Sequence, residues 1–252
     1  MLEVYALHVG DRDTTRCQFL YRDPSHERLT ISFYFWLVLG GAEPIVIDTC
    51  FDAAYAKRRG LQSYRDRTEL LRQVGVEPCD VTTVVMSHLH WDHCAGHALF
   101  PRARILVQER EIAFWNGGIM RYAAIASSGS EATLADLQKP ETGNRISAVD
   151  GDFQLAPGIN VYRLSGHTPG MQVVTAQTPK GTVVLANDTM HYYENLERRR
   201  PVQVTMDMPG ALQALDAVEA LAAGNPELIV PGHDPAVVER FDAIAPGIIR
   251  IA

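Results

Sequence analysis

Between Ser87 and His97 the chain reads SHLHWDHCAGH, four imidazoles and a carboxylate within eleven residues. Nitrogen donors at that density are the mark of a metal site. In His88-x-His90-x-Asp92-His93, alternate residues leaving a strand end point the same way, so His88 and His90 can grip one ion. Asp92 and His93 are displaced along the loop and can reach a second. Imidazole and carboxylate without thiolate suit zinc, with iron or manganese as alternatives. Three later residues extend the set: His167 in SGHTPG, Asp188 in ANDTM and His233 in PGHDP. Each closes an expected strand among Gly, Pro or Thr turn residues, where a scaffold presents side chains to a pocket. Seven donors exceed the needs of one tetrahedral ion and fit two if a carboxylate bridges. His8, His26 and His97 read as hydrogen-bonded histidines outside the set, and Cys94 as a packed small residue.

The elements that must position these donors are legible from apolar patterning. Residues 31–39, ISFYFWLVL, read as a buried strand ending at Gly40-Gly41, and PIVIDT (44–49) as its hairpin partner. Residues 63–74 have helical spacing, 82–88 and 104–108 read as short strands, and 109–115 as a helix. Residues 116–146 are rich in Gly, Ser and Ala with weak periodicity; they read as a partly helical excursion that can cover a site. Strands are expected at 159–165, 171–178, 182–188 and 227–234. A helix is expected at 210–223, with Leu212, Leu215, Val218 and Leu221 on its core stripe. No linker divides the chain, so 1–252 is expected to be one domain, two β-rich halves packed face to face with helices outside.

Composition narrows the partners. The 252 residues are 46% hydrophobic, enough for a large core without staples, and no apolar run is long enough to span a bilayer. The opening MLEVYALHVGDRD lacks the basic-then-apolar pattern of a signal peptide. The four cysteines form no CxxC pair and read as free thiols, so a cytoplasmic location is expected. A net charge of −7 argues against nucleic acid, and Arg198–Arg200 reads as a solvated face. Monomer and homodimer both remain open.

SHLHWDH, followed by GHTPG, an isolated Asp and a terminal GHD, resembles the metallo-β-lactamase superfamily. Within it, the set is similar to the dinuclear-zinc lactonases that open N-acyl-homoserine lactones and to the pyridoxolactone hydrolases. The resemblance runs from the 31–48 hairpin to His233 and implies a four-layer αββα sandwich with the metals at one edge of the sheets. It implies His88, His90 and His167 on a first zinc, Asp92, His93 and His233 on a second, and Asp188 bridging. Asp48, in IVIDT, would orient the metal loop. The lactonase pattern has a Tyr three residues after the bridging Asp; here position 191 is His, followed by Tyr192 and Tyr193. His191 or Tyr192 is the candidate for the carbonyl contact. Trp91 and the Ala95-Gly96-His97 tail also depart from that pattern.

The expected reaction is attack of a hydroxide bridging two zinc ions on the carbonyl of a small cyclic ester, with Asp92 or His191 supplying a proton to the leaving oxygen. No G-x-S-x-G elbow is present, and none is needed. Trp36, Phe114, Trp115, Met120, Tyr122 and Tyr192 are candidates to line the pocket. A cyclic amide or a thioester would suit the same metals. An iron-dependent oxidoreductase is the alternative from another class, but it is disfavoured because position 90 is His where diiron members carry Glu.

Overall fold

Ile31–Leu39 reads as a continuous apolar run because both of its faces are covered. In the computed structural model, which describes residues 1–252, Trp36 and Val38 join one core cluster while Phe33, Phe35 and Leu37 join another. The same alternation holds for Ile45 and Ile47 against Val46. Strand side chains alternate between faces, so a sheet packed on both sides must be apolar at every position.

Thirteen strands form two sheets. In chain order they are β1 Glu3–Thr15, β2 Arg28–Leu39, β3 Ile45–Ile47, β4 Thr83–Val85, β5 Arg104–Gln108, β6 Ile146–Val149 and β7 Phe153–Ala156. The remainder are β8 Ile159–Arg163, β9 Gln172–Thr178, β10 Gly181–Asn187, β11 Ile229–Pro231, β12 Asp242–Ala245 and β13 Ile248–Arg250. The first sheet has the order β12-β13-β1-β2-β3-β4-β5-β6 and the second β11-β10-β9-β8-β7. One core cluster fills the space between the sheets and reaches the helix Met208–Leu221. The other packs the first sheet against Leu70 and Leu71 of the helix Arg67–Gln73 and Trp115 of the helix Glu109–Asn116. The result is the expected αββα sandwich.

The 31–48 hairpin is present, with Trp36 opposite Ile47. The helix expected at 63–74 begins only at Arg67, because the Asp66 carboxylate accepts from the backbone N–H of Thr68 and Glu69 and caps it there. In Met208–Leu221 the buried face is Ala211, Ala214, Leu215 and Val218; Leu212 is 41% exposed and leaves the expected stripe. The excursion 116–146 holds the short helices Ala123–Ala126, Glu131–Leu137 and Pro140–Gly143 before β6. Strands β1, β6, β7, β12 and β13 went unread in the sequence. The second half of β1 carries Gly10, Asp11, Arg12 and Asp13, with a register irregularity between His8 and Gly10, which breaks the alternation that marks a strand. No helix is long and apolar enough to cross a membrane.

Candidate metal centre

Strand direction explains why seven donors scattered over 146 positions meet. Strands β3 and β4 are parallel, so Asp48 and the His88–His93 loop leave the first sheet at the same edge. Strands β8 and β10 each pair antiparallel with β9, and β11 runs parallel to β10, so β8, β10 and β11 share one direction. Their ends deliver His167, Asp188 and His233 at one edge of the second sheet.

The donor atoms form two main groups joined at Asp188, and a third, Asp188, His191 and His233, overlaps both. His88, His90, His167 and Asp188 make one cluster, and Asp92, His93 and His233 another. In the first, His167 Nε2 lies 3.2 Å from His88 Nε2 and 2.8 Å from His90 Nδ1. Asp188 Oδ2 lies 3.2 Å from His167 Nε2 and 3.8 Å from His88 Nε2. The other oxygen serves the second group: Asp188 Oδ1 is 3.3 Å from His93 Nε2 and 3.1 Å from His233 Nε2. Asp92 closes that group at 3.9 Å from His93 Nε2 and 3.7 Å from His233 Nε2.

These spacings fit cations. Donors at 2.0–2.1 Å from a tetrahedral ion stand about 3.3 Å apart. Without a cation, His88 Nε2 and His167 Nε2, whose rings carry their protons on Nδ1, would meet lone pair to lone pair at 3.2 Å. His93 Nε2 and Asp188 Oδ1 are both buried with no hydrogen-bond partner, a costly state that a shared cation relieves.

In four of the five donor histidines the other ring nitrogen is held so that the inward one stays free, while His90 Nε2 is buried without a partner. His93 Nδ1 donates to Asp48 Oδ2 at 2.7 Å, His167 Nδ1 to the Val204 carbonyl at 2.6 Å and His233 Nδ1 to the Ser32 carbonyl at 2.8 Å. His88 Nδ1 lies 2.9 Å from Ser87 Oγ. An Nδ1–H spent on an acceptor fixes the tautomer whose Nε2 lone pair faces the metal. Asp48 also accepts from the Ser87 backbone N–H at 2.7 Å and from Ser87 Oγ at 2.8 Å, so one buried carboxylate orients both ends of the loop. Its backbone has φ +60°, and Asn187, just before Asp188, has φ +45°. Both lie in the left-handed region, where Asn and Asp are the non-glycine residues best tolerated.

Charge follows the same division. Burial and neighbouring imidazoles push His88 and His90 well below the ordinary histidine value. Burial also opposes charge on His93, but Asp188, Asp48 and Asp92 outweigh it and raise the group well above that value. The Asp188 carboxyl is driven well below the carboxylate range: burial resists this, and His233, His93 and His191 overcome it. His191 falls to about 4, chiefly through burial.

Two features missed in the sequence tie the loops together. Glu111, fully buried, accepts from the Leu89 backbone N–H at 3.0 Å, from Trp115 Nε1 at 2.8 Å and from the Gly170 backbone N–H at 3.1 Å. It thus joins the His88–His90 segment to the turn after His167. Gly232 is needed where it stands, since a Cβ there would meet Asp188 Oδ1 at 2.7 Å. Nothing in one sequence marks Glu111, which looks like one more charge on an amphipathic helix.

In front of the donors lies a cavity of about 130 Å³. His90, Asp92, His167, Asp188, His191 and His233 reach it, together with Trp91, Ser127 and Ser128. Its remaining walls, Arg12, Phe19, Ile31 and Val204, were not expected there, and Arg12 lies on the unread strand β1. His191 Nε2 is 3.1 Å from Asp188 Oδ2 and its ring packs on Phe19. Tyr192, the other candidate for the carbonyl, does not line the cavity: its hydroxyl donates to the Thr30 carbonyl at 3.0 Å. Trp36 lies between the sheets, stacked on Tyr34, and is core. Trp115 buttresses the His90 ring from behind, Phe114 packs on Trp115, Met120 lies against the first sheet's helical layer, and Tyr122 is 50% exposed. None of the four lines the cavity. His97 sits between two acceptors, the Cys94 carbonyl at 3.1 Å and the Asp136 carboxylate at 2.8 Å, and Cys94 is buried beside Leu89, so neither joins the donors.

Known proteins are similar to this chain in sequence and in fold. The chain is 27% identical to an N-acyl homoserine lactonase of a Bacillus species over 82% of this chain and 83% of that protein. It is 28% identical to N-acyl homoserine lactonase AiiB of Agrobacterium fabrum over 66% and 61%. Among solved structures, a quorum-quenching N-acyl homoserine lactone lactonase superimposes with a TM-score of 0.75 at 22% identity, covering 92% of each chain. AidC, a dizinc quorum-quenching lactonase, gives 0.73 at 19% identity over 93% of this chain and 88% of that one. The profile of the metallo-β-lactamase superfamily matches residues 32–233, from the second strand to the last histidine donor, and the chain belongs to that superfamily.

Proposed function

We propose that the protein is a metal-dependent hydrolase that opens a small cyclic ester and holds two zinc ions. The observation that carries this reading is Asp188, one buried carboxylate whose two oxygens serve two separate histidine groups. The lactonase relatives support an ester ring as substrate. His88, His90 and His167 would hold one ion, Asp92, His93 and His233 the other, with Asp188 shared. When bound, such a metal pair supplies a water acidic enough to attack at neutral pH and a Lewis acid for the carbonyl.

The chain's own residues do the rest. His191 Nε2–H donates to Asp188 Oδ2 and fixes the shared carboxylate between the two groups. Asp92, at the cavity wall with its side chain 12% exposed, is placed to pass a proton to the ring oxygen as it leaves. Phe19, Ile31 and Val204 give the ring carbons an apolar wall. Ser127 and Ser128 bring the 116–146 excursion to the cavity, and the Ser128 carbonyl accepts from the Trp91 N–H at 3.1 Å. In this reading the excursion is a wall of one hydrolase domain spanning 1–252, and water is limited on that side.

A panel of lactones, cyclic amides and thioesters followed by pH-stat, with metal counted by mass spectrometry, tests the proposal. Two zinc per chain and turnover of lactones are expected, and His90→Ala is expected to lose more than about 100-fold in kcat/KM together with bound metal. Full activity in His90→Ala, or stoichiometric iron with oxygen consumption, would overturn it.

A further inference from the structure

A cavity of about 130 Å³ is small beside the roughly 300–1,000 Å³ of pockets that enclose drug-sized ligands. It admits a ring with a short substituent. Its lining is mainly polar, and its one cationic side chain is Arg12. The Arg12 guanidinium carbon lies 5.9 Å from the Phe33 ring centroid, and that ring stands edge-on 5.5 Å from His233. The charge therefore sits on the Asp92–His233 side of the donors, and Asp92 is the carboxylate it feels most.

The Arg12 guanidinium makes no ion pair and no side-chain hydrogen bond; it faces only the Phe33 ring. Three arginines near β1 are paired with carboxylates: Arg16 with Glu194 and Asp23, Arg28 with Asp13, and Arg200 with Asp23. A second guanidinium without a carboxylate touches two of the cavity's wall residues, though it does not itself line the cavity. Arg59 lies 4.4 Å over the Trp91 ring and reaches only the Ser127 carbonyl, at 3.4 Å, and the Tyr55 hydroxyl, at 3.5 Å. Arg12 and Arg59 repel one another. A protein of net charge −7 thus keeps one guanidinium in the cavity wall and a second beside that wall, neither with a carboxylate partner. Guanidinium cannot shed its proton, and a half-buried one left unpaired is costly, so the arrangement calls for an anion from outside. Asp92 cannot serve as that partner while it belongs to the donor group.

We propose that the substrate carries a carboxylate beside its lactone ring and that Arg12, assisted by Arg59, binds that carboxylate. The ring carbons then face Phe19, Ile31 and Val204, and the ring carbonyl faces the donors. This rests on the hydrolase reading and names the substrate class within it. The reaction stays an ordinary hydrolysis: water oxygen bonds to the acyl carbon, the acyl C–O bond breaks, and the ring oxygen leaves and takes a proton.

The test compares 5-oxotetrahydrofuran-2-carboxylate with γ-butyrolactone, the same ring with and without the charge, on the zinc-loaded protein. A charge-assisted hydrogen bond contributes about 1.5–3 kcal/mol, or about 10- to 100-fold. The wild type is expected to favour the carboxylated lactone by at least about 10-fold in kcat/KM, and Arg12→Gln to cut that ratio by about 10- to 100-fold, mainly through KM. A wild-type ratio near one, or a ratio unchanged in Arg12→Gln, overturns the proposal; the second would mean that Arg12 only balances Asp92. Calorimetry with the open-chain products, 2-hydroxyglutarate and 4-hydroxybutanoate, separates this from the hydrolase reading. If neither lactone turns over but 2-hydroxyglutarate binds at least about 10-fold more weakly to Arg12→Gln, the carboxylate site stands and the hydrolase reading falls. If lactones turn over and 2-hydroxyglutarate binding ignores Arg12, the reverse holds.

Discussion

Glu111→Gln isolates the tether between the two halves of the metal centre. The carboxylate accepts three N–H groups, from Leu89, Trp115 and Gly170, in a site with no exposure to water. Glutamine has nearly the same volume, so no cavity opens and the effect is confined to hydrogen bonding. Its single amide oxygen can keep the Leu89 and Trp115 donors, but its NH2 then faces the Gly170 N–H, donor against donor. Losing one bond to a charged acceptor and burying an unmatched donor costs about 2 kcal/mol. For a chain of this length that is about 4–8 °C in Tm. The drop is expected in the chelated protein as well as the zinc-loaded one, since the tether is made without metal. Zinc affinity is expected to fall about 10-fold, because Gly170 lies in the turn that presents His167. Thermal unfolding with and without chelator, alongside competition with a chromogenic chelator, measures both. A midpoint within about 1 °C of wild type in the chelated protein would refute the tether.

Other expectations follow from the same geometry. Asp48→Asn replaces a carboxylate that holds His93 and Ser87 and should weaken zinc binding by about 10- to 100-fold while leaving far-ultraviolet circular dichroism intact, as read by metal competition. Burial opposes ionisation of Asp11, but His8, Ser32 and Ser63 outweigh it and hold its carboxyl at about 2, below the ordinary value of 3.8. The stability this confers is complete above the ordinary value and is lost as pH falls toward 2, so Tm should drop across that window and Asp11→Asn should flatten the drop.

The donor set was more legible than the walls around it. Histidines are scarce and chemically distinctive, so a dense run such as His88–His93, followed by single donors in glycine-rich turns, stands out in any sequence. The buried strands β2, β3 and β10 were legible for a similar reason, since being covered on both faces leaves a run of apolar residues. Arg12 and Glu111 carry no such mark. Their roles come from which strand or loop lies opposite, and a charged side chain has the same letter whether it faces solvent or a cavity. Trp36 and Tyr192 mislead for the converse reason. An aromatic near a site in sequence can point to the other face of its strand, as Trp36 does, or spend its hydroxyl on a backbone carbonyl, as Tyr192 does on Thr30.

Asp188 has a consequence for how the centre fills. Its carboxylate is one rigid plane, with Oδ2 committed to the His88–His90–His167 side and Oδ1 to the His93–His233 side. In the proposed two-ion reading, an ion on either side would fix that plane and set the opposite oxygen in place for the other. The ordering cost would be met once for two occupants, so the two positions are expected to fill together wherever that saving exceeds the repulsion between the ions.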